Sequence, residues 1–437
     1  MNIEAYTRRR AELARRMGTG VAVIATAPER ARNRDTHYPY RHDSYFYYLT
    51  GFTEPEAVLV LVAGENPKSL LFCRNKDIER EIWDGYRYGP DAARAAFCFD
   101  EAYPIAQLDE RLTDLIANQP TLFYAMGADA DWDAHMMAAL NRVRAQVRAG
   151  VHAPGEIRDI YAMLDDMRLI KDSHEVEVMR RAAAISCAAH ARAMRATRPG
   201  RHEYEIEAEL LHEFRRAGSQ FPAYGSIVAS GPNACVLHYV SNDRRMADGD
   251  LLLIDAGCEL DGYASDITRT FPVNGVFSGA QRDIYQLVLD AQSAAMTRLV
   301  PGASFIDYHD AAVEVLARGM VELGLLPGTY EQVMENESYK RFYMHRTGHW
   351  LGMDVHDAGE YKRAANWRKL EDGMVLTVEP GCYVRPAEDV PQAFWNIGVR
   401  IEDDVVVRAG GNEILTAAAP KSIADIETLM AGALEAA

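Results

Sequence analysis

The apolar positions of this chain follow two rhythms. Unbroken runs such as Val58-Leu59-Val60-Leu61-Val62 and Ser69-Leu70-Leu71-Phe72-Cys73 predict buried strands. Met136, Leu140, Val143 and Val147 recur at helical spacing and predict a helix over 131–149. Near the start, Arg8-Arg9-Arg10 precedes Val21-Ala22-Val23-Ile24-Ala25-Thr26-Ala27, which faintly resembles a secretion signal. Glu12, Arg15 and Arg16 interrupt the approach to that run, so a helix followed by a strand is expected instead. Helix and strand alternate to about residue 150, as in an α/β domain of two or three layers. His152-Ala153-Pro154-Gly155 reads as a linker, and the domain boundary is expected between residues 157 and 158.

The second domain, 158–437, opens with long helices. Ser173, followed by Glu175 and Glu177, marks a start that Pro199-Gly200 ends, and a further helix is expected over 203–217. Strands are expected around Ile227 and Val236, the latter carrying His238 in Val236-Leu237-His238-Tyr239. A hairpin follows, then helices over 279–300 and 304–324, then another hairpin. The order helix, helix, hairpin therefore occurs twice.

The two hairpins begin with copies of one pattern. Asp248-Gly249-Asp250-Leu251-Leu252-Leu253-Ile254-Asp255-Ala256-Gly257-Cys258 aligns without a gap on Asp372-Gly373-Met374-Val375-Leu376-Thr377-Val378-Glu379-Pro380-Gly381-Cys382. Each apolar strand ends in a carboxylate, and a buried, unpaired carboxylate is costly, so a partner is expected. A two-residue turn at Asp261-Gly262 sets Asp255 opposite Thr268 and Asp266 diagonally next to Asp255, provided no bulge shifts the register. Such diagonal neighbours are about 7–8 Å apart, close enough to grip one ion. The second hairpin returns through 397–404, where alternation sets Arg400 and Glu402 on one face. Glu402 is expected as the counterpart of Asp266, and Asp403 and Asp404 at the surface or in a turn. Four converging carboxylates repel, and one cation or two must neutralise them.

Three of the thirteen histidines fall in His345-Arg346-Thr347-Gly348-His349-Trp350-Leu351-Gly352-Met353-Asp354-Val355-His356-Asp357, where Gly348 and Gly352 argue against a simple helix. Carboxylates with one imidazole form an oxygen-rich set that suits Mn²⁺ or Mg²⁺ better than a structural zinc. Two such ions point to hydrolysis at a polarised carbonyl or phosphoryl centre.

Composition narrows the remaining classes. With 437 residues, 48% hydrophobic and 25% charged, the chain has a globular balance and length for two or three domains. A net charge of −17 lacks the basic footprint of a nucleic-acid binder. No run is long enough to span a membrane. The six cysteines form no C-x-x-C pair and read as buried free thiols of a reducing cytoplasm.

These residues resemble the pita-bread metallopeptidase family, which includes methionine aminopeptidase, prolidase and aminopeptidase P. The family's metal pattern Asp, Asp, His, Glu, Glu falls on Asp255, Asp266, His349, Glu379 and Glu402. The segment 345–357 resembles the signature of the proline-directed branch, except that Arg346 stands where a small residue is common. Residues 47–58 and Glu79-Arg80-Glu81-Ile82-Trp83 are similar to the leading domain of the aminopeptidase P branch. The resemblance implies an α/β (α+β) chain: a C-terminal pita-bread (creatinase/aminopeptidase) fold over 158–437 and a smaller α/β N-terminal domain over 1–157.

It also implies hydrolysis of the bond between an N-terminal residue and a following proline, on peptides that begin Xaa-Pro. Two Mn²⁺, or other divalent ions, would be held with Asp255 on one metal, Asp266 and Glu402 bridging, and His349 and Glu379 on the other. Glu379 would shuttle protons, His238 and His356 would hydrogen-bond the reacting groups, and His345 and Arg400 would shape the proline side and orient the acids. Such proteins form homo-oligomers, dimers or tetramers. The rival readings are a prolidase confined to Xaa-Pro dipeptides and a metal-free hydrolase or binding module; the latter would have lost ligands, and all five are present here.

Overall fold

A computed structural model describes residues 3–435, and the chain divides into two units between Arg168 and Leu169. The first unit is built on a six-stranded sheet in the order Glu101–Pro104, Lys68–Cys73, Val58–Ala63, Gly20–Ala25, Thr121–Phe123, Glu156–Arg158. The three long middle strands pair antiparallel, and the outer strands add in parallel. The unbroken run Val58-Leu59-Val60-Leu61 is buried along its length because helices cover both sheet faces. Leu108–Ile116 and Ala130–Arg144 pack on one face through Leu112, Met136 and Leu140. Ile3–Met17 packs against Val58–Ala63 on its own side.

Two local expectations shift here. The helix predicted over 131–149 starts one residue earlier, where Asp129 caps the N–H groups of Asp131 and Trp132. It stops at Arg144, and Val147 lies in a separate exposed 3₁₀ turn. After the linker, Glu156–Arg158 pairs with Thr121–Phe123, so the chain re-enters the first sheet before the units part.

In the second unit, Ser173–Ala196 packs on Glu203–Arg216, and Gly279–Met296 on Asp307–Glu322. The first helix begins at Ser173 as expected, capped by Asp172; the Asp172 carboxylate accepts from the N–H groups of His174 and Glu175, while the Glu175 carboxylate accepts from the N–H of Asp172. The apolar faces of these helices, including Ile206, Phe214, Val288 and Leu316, share one core with strand residues Leu252, Ile254 and Val405.

The first hairpin keeps one register throughout. Asp255 faces Thr268, and beyond a break at Ala256–Gly257 the pairing resumes to Leu260 facing Tyr263. Asp261 (φ 50°) and Gly262 (φ 80°) both turn left-handed, as a tight two-residue hairpin loop requires. At the break the strands lie so close that a Cβ on Gly257 would stand 1.7 Å from the carbonyl of Ser265. The second hairpin is broken in the same place: Val375–Val378 pairs with Asp403–Val406, and Gly381–Val384 with Ile397–Arg400.

That register corrects one expectation. The flanking pairs Val378 with Asp403 and Gly381 with Arg400 put Glu379 directly opposite Glu402. Glu402 therefore occupies the place of Thr268, and Arg400 that of Asp266. The strand expected around Val236 is also absent. Gly231, at φ 53°, and the N–H-less Pro232 turn the chain out of Ile227–Ser230 into a 3₁₀ helix over Gly231–Cys235, and His238 follows in irregular backbone.

Candidate active site

The strand breaks of both hairpins open into one cleft of about 1140 Å³ in the second unit. All predicted site residues line it: Asp255, Asp266, His349, Glu379 and Glu402, with His238, His345, His356 and Arg400 around them. The histidine segment joins the second hairpin by running beside its leading strand. The N–H groups of Leu351, Thr377 and Glu379 donate to the carbonyls of Val375, His349 and Thr347. This ladder brings His349 to Glu379. It also explains Gly348, where a Cβ would lie 2.0 Å from the carbonyl of Thr377. The segment's far end is fixed by a buried ion pair, Lys171 Nζ to Asp357 Oδ2 at 2.8 Å.

Ligating atoms of Asp266, His349 and Glu402 lie within 4.8 Å of one another. His349 Nε2 is 3.6 Å from Asp266 Oδ2 and 3.7 Å from Glu379 Oε1. Its Nδ1 lies 2.9 Å from the carbonyl of Trp350, which can only accept. The ring proton therefore sits on Nδ1, and the lone pair of Nε2 faces the acids. Burial lowers the imidazole to about 4, so it is neutral at pH 7.

The carboxylates resist ionisation together. Burial raises Asp266, Glu379 and Glu402 well above the usual range. Neighbouring charge adds to this: Asp255 and Asp404 act on Asp266, Glu402 on Glu379, and Asp266 on Glu402. Acids that suppress one another's charge around a free imidazole lone pair fit a divalent cation, and the oxygen-rich set suits a hard one.

Arg400 and two tyrosines arrange the acids. Arg400 donates from Nη2 to Asp255 Oδ2 (2.5 Å), from Nε to Thr268 Oγ1 (3.1 Å) and from Nη1 to Tyr383 OH (3.1 Å). Thr268 Oγ1 in turn donates a hydrogen bond to Glu402 Oε2 at 2.6 Å. Tyr383 OH lies 2.8 Å from His345 Nε2, while His345 Nδ1 lies 2.7 Å from the carbonyl of Arg346. His345 is thus protonated on Nδ1 and accepts from Tyr383; burial, then the charge of Arg400, lowers it to about 3. Tyr224 OH lies 2.6 Å from Asp255 Oδ1 and also reaches Asp266 Oδ1. His356 packs edge-on against His349 with centroids 4.3 Å apart, and His238 sits exposed at the rim.

Asp403 and Asp404 are not at the surface: both are buried, on the strand Asp403–Val406. Asp403 meets Arg269 Nη2 at 2.7 Å, Lys421 Nζ at 2.6 Å and Thr416 Oγ1 at 2.7 Å. Burial opposes its charge, yet Arg269 and Lys421 hold it below the usual carboxylate range. Asp404 accepts the backbone N–H of Asp266 at 3.1 and 3.2 Å, which fixes the strand carrying that acid.

Tyr224, Thr268, Tyr383 and Asp404 were not singled out as site residues from the sequence. Tyr383 carries a signal, since it shares a strand face with Glu379 at a spacing of four. Tyr224 carries none, lying in irregular backbone between short strands.

The chain is similar to known proteins along its whole length. The model of Metallopeptidase family M24 matches residues 177–409, and that of the Aminopeptidase P, N-terminal domain matches residues 6–124. The chain is 44% identical to an Xaa-Pro aminopeptidase of Escherichia coli, over 98% of each protein. It is 46% identical to an Xaa-Pro aminopeptidase of Haemophilus influenzae, over 98% of this chain and 97% of the relative. The solved structure of Pseudomonas aeruginosa aminopeptidase PepP superposes with a TM-score of 0.98 at 50% identity, covering 100% of this chain and 99% of that one.

Proposed function

We propose a residue-level mechanism for a chain that belongs to metallopeptidase family M24 and is an Xaa-Pro aminopeptidase, a hydrolase of the bond between an N-terminal residue and proline. The supporting observation is the convergence of Asp266, His349, Glu379 and Glu402 in one cleft beside Asp255. These five residues would hold two divalent ions, Mn²⁺ in our reading. When bound, such ions polarise the scissile carbonyl and make water acidic enough to attack near neutral pH.

The chain's own residues handle orientation and protons. The substrate's amino terminus faces the acids at the cleft floor. Glu379 takes the proton of the attacking water and delivers it to the proline nitrogen as the bond breaks. That delivery matters because an Xaa-Pro amide carries no N–H and its nitrogen must leave protonated. His238 and His356 donate to the carbonyl oxygen as charge develops there. His345 stays neutral under Tyr383 and forms the wall against which the proline ring lies, while Arg400 holds Asp255 in place.

The enzyme is read as a cytoplasmic homo-oligomer, a dimer or tetramer. All six cysteines are free, in keeping with a reducing compartment. The helix Ile78–Asp84 buries none of its residues and exposes Ile78, Ile82 and Trp83, an apolar patch that favours association. No described helix is long and apolar enough to cross a membrane.

The test is a peptide panel with the manganese-loaded protein and with chelator. Xaa-Pro-Yaa should be cleaved after Xaa with manganese and not with chelator, and Asp266→Asn should lose both turnover and metal. Full turnover by a folded Asp266→Asn protein, or strong preference for the Xaa-Pro dipeptide, overturns the reading.

A further inference from the structure

The catalytic reading leaves one wall of the cleft unused. Arg346 and Lys362 both line the cleft, and both are exposed. They share one ring: the Arg346 guanidinium carbon lies 5.3 Å and Lys362 Nζ 4.1 Å from the Trp367 centroid. Lys362 faces Trp367 across a small hairpin, Lys362–Arg363 paired with Asn366–Trp367, turned by Ala364 at φ 53°. Trp367 is held from behind by Phe305, stacked at 6.1 Å and 23°, and Phe305 meets Tyr361 edge-on at 4.9 Å. The cations are thus attached to a supported aromatic platform, not to mobile backbone. Among the described residues neither forms a salt bridge within 4 Å, although Arg346 acts on the Asp310 carboxyl at longer range. In a chain of net charge −17, two cations without a close salt-bridge partner at a substrate cleft call for an explanation. A ring face keeps a cation in place without neutralising it, so each remains available to an anion from outside.

Polarity along the cleft assigns the anion. The acids that take the substrate's amine are on the floor, so the peptide beyond the proline runs out toward the mouth. We propose that Arg346 and Lys362, both held against Trp367, form a specificity site for a carboxylate carried by the peptide beyond its proline. This rests on the aminopeptidase reading and adds to it the class of peptide preferred. The carboxylate comes from an Asp or Glu side chain or from the free C-terminus of a short peptide. The contact is remote from the reacting atoms and equal in ground and transition states, so it acts on KM and leaves kcat alone.

The experiment compares Ala-Pro-Gln-amide, Ala-Pro-Glu-amide and Ala-Pro-Gln free acid on the manganese-loaded full-length enzyme, at low and high salt. One acidic form or both should show a KM roughly three- to tenfold below that of the neutral amide, the scale of two exposed ion pairs. The ratio should shrink with salt. Which acidic peptide carries it tells side chain from C-terminus. Arg346→Glu and Lys362→Glu, each read as the ratio within one variant, should reduce or invert it. Equal KM values for all three peptides in the wild-type enzyme, or a ratio that neither variant alters, overturns the site while leaving the aminopeptidase reading intact. Failure to cleave any of the three removes that reading and the site with it.

Discussion

Arg400 reaches across from the second hairpin to Asp255 of the first, Nη2 to Oδ2 at 2.5 Å, and the same guanidinium holds Thr268 and Tyr383. Three acceptors in three directions match a planar fork and not an ammonium. Arg400→Lys should therefore behave as a severe change, lowering kcat/KM about 10–100-fold, the usual loss when the support of a metal ligand goes. Steady-state kinetics with a circular-dichroism control checks this; wild-type kcat/KM in the Lys variant would show that Asp255 needs no such clamp.

Metal removal should make stability depend on pH in one direction. In the metal-free protein Asp266, Glu379 and Glu402 hold their protons above the usual range, from burial first and from one another next. The folded state then binds more protons than the unfolded state, so stability is full below the unfolded carboxylate value of about 4 and falls as pH rises beyond it. A divalent cation replaces those protons, and the rise in Tm on adding Mn²⁺ should grow from pH 5 to pH 8. Thermal melts with chelator and with manganese measure it, and a Tm gain that does not change with pH would contradict the shared-charge account.

Arg269 and Asp403 are each fully buried and 2.7 Å apart. Asp403→Ala leaves a guanidinium uncompensated and should cost about 3–5 kcal/mol. The same guanidinium donates to the backbone carbonyls of Glu402, a site acid, and of Thr268, which bonds its side chain, so metal affinity should fall too. Urea denaturation and manganese titration read the two effects; a loss below about 1 kcal/mol would mean that the carbonyls of Thr268, Glu402, Ala419 and Pro420 suffice to hold the guanidinium.

Gly348→Ala places a methyl 2.0 Å from the Thr377 carbonyl and must push the histidine segment away from Val375–Val378. His349 moves with it, and a shift of about 1 Å at a reacting centre costs about 100-fold in turnover. Unchanged kcat in a folded Gly348→Ala enzyme would mean the ladder can part without disturbing the site.

The sequence carried those features that depend on short-range geometry. The Asp261-Gly262 turn fixes a register, so Asp255 facing Thr268 could be read directly, and the repeat marked Glu379 as the matching strand-end acid. What it hid depends on partners far along the chain. Asp403 and Asp404 look like strand-end surface residues because Arg269 lies 134 residues away and the Asp266 amide 138. His238 looked like a strand residue because Val236-Leu237 is apolar, although Gly231-Pro232 had already turned the backbone out of the sheet. The misassigned counterpart of Glu402 arose from alternation counted in one strand only; the facing register decides it.

That register has a further consequence. A ligand seated on a true twofold frame could lie in either of two equivalent poses. Here Thr268 matches Glu402 and Asp266 matches Arg400, so one half offers a hydroxyl and an anion where the other offers an anion and a cation. The mismatch removes the degeneracy, and an incoming peptide finds a head end and a tail end before any atom of it reacts.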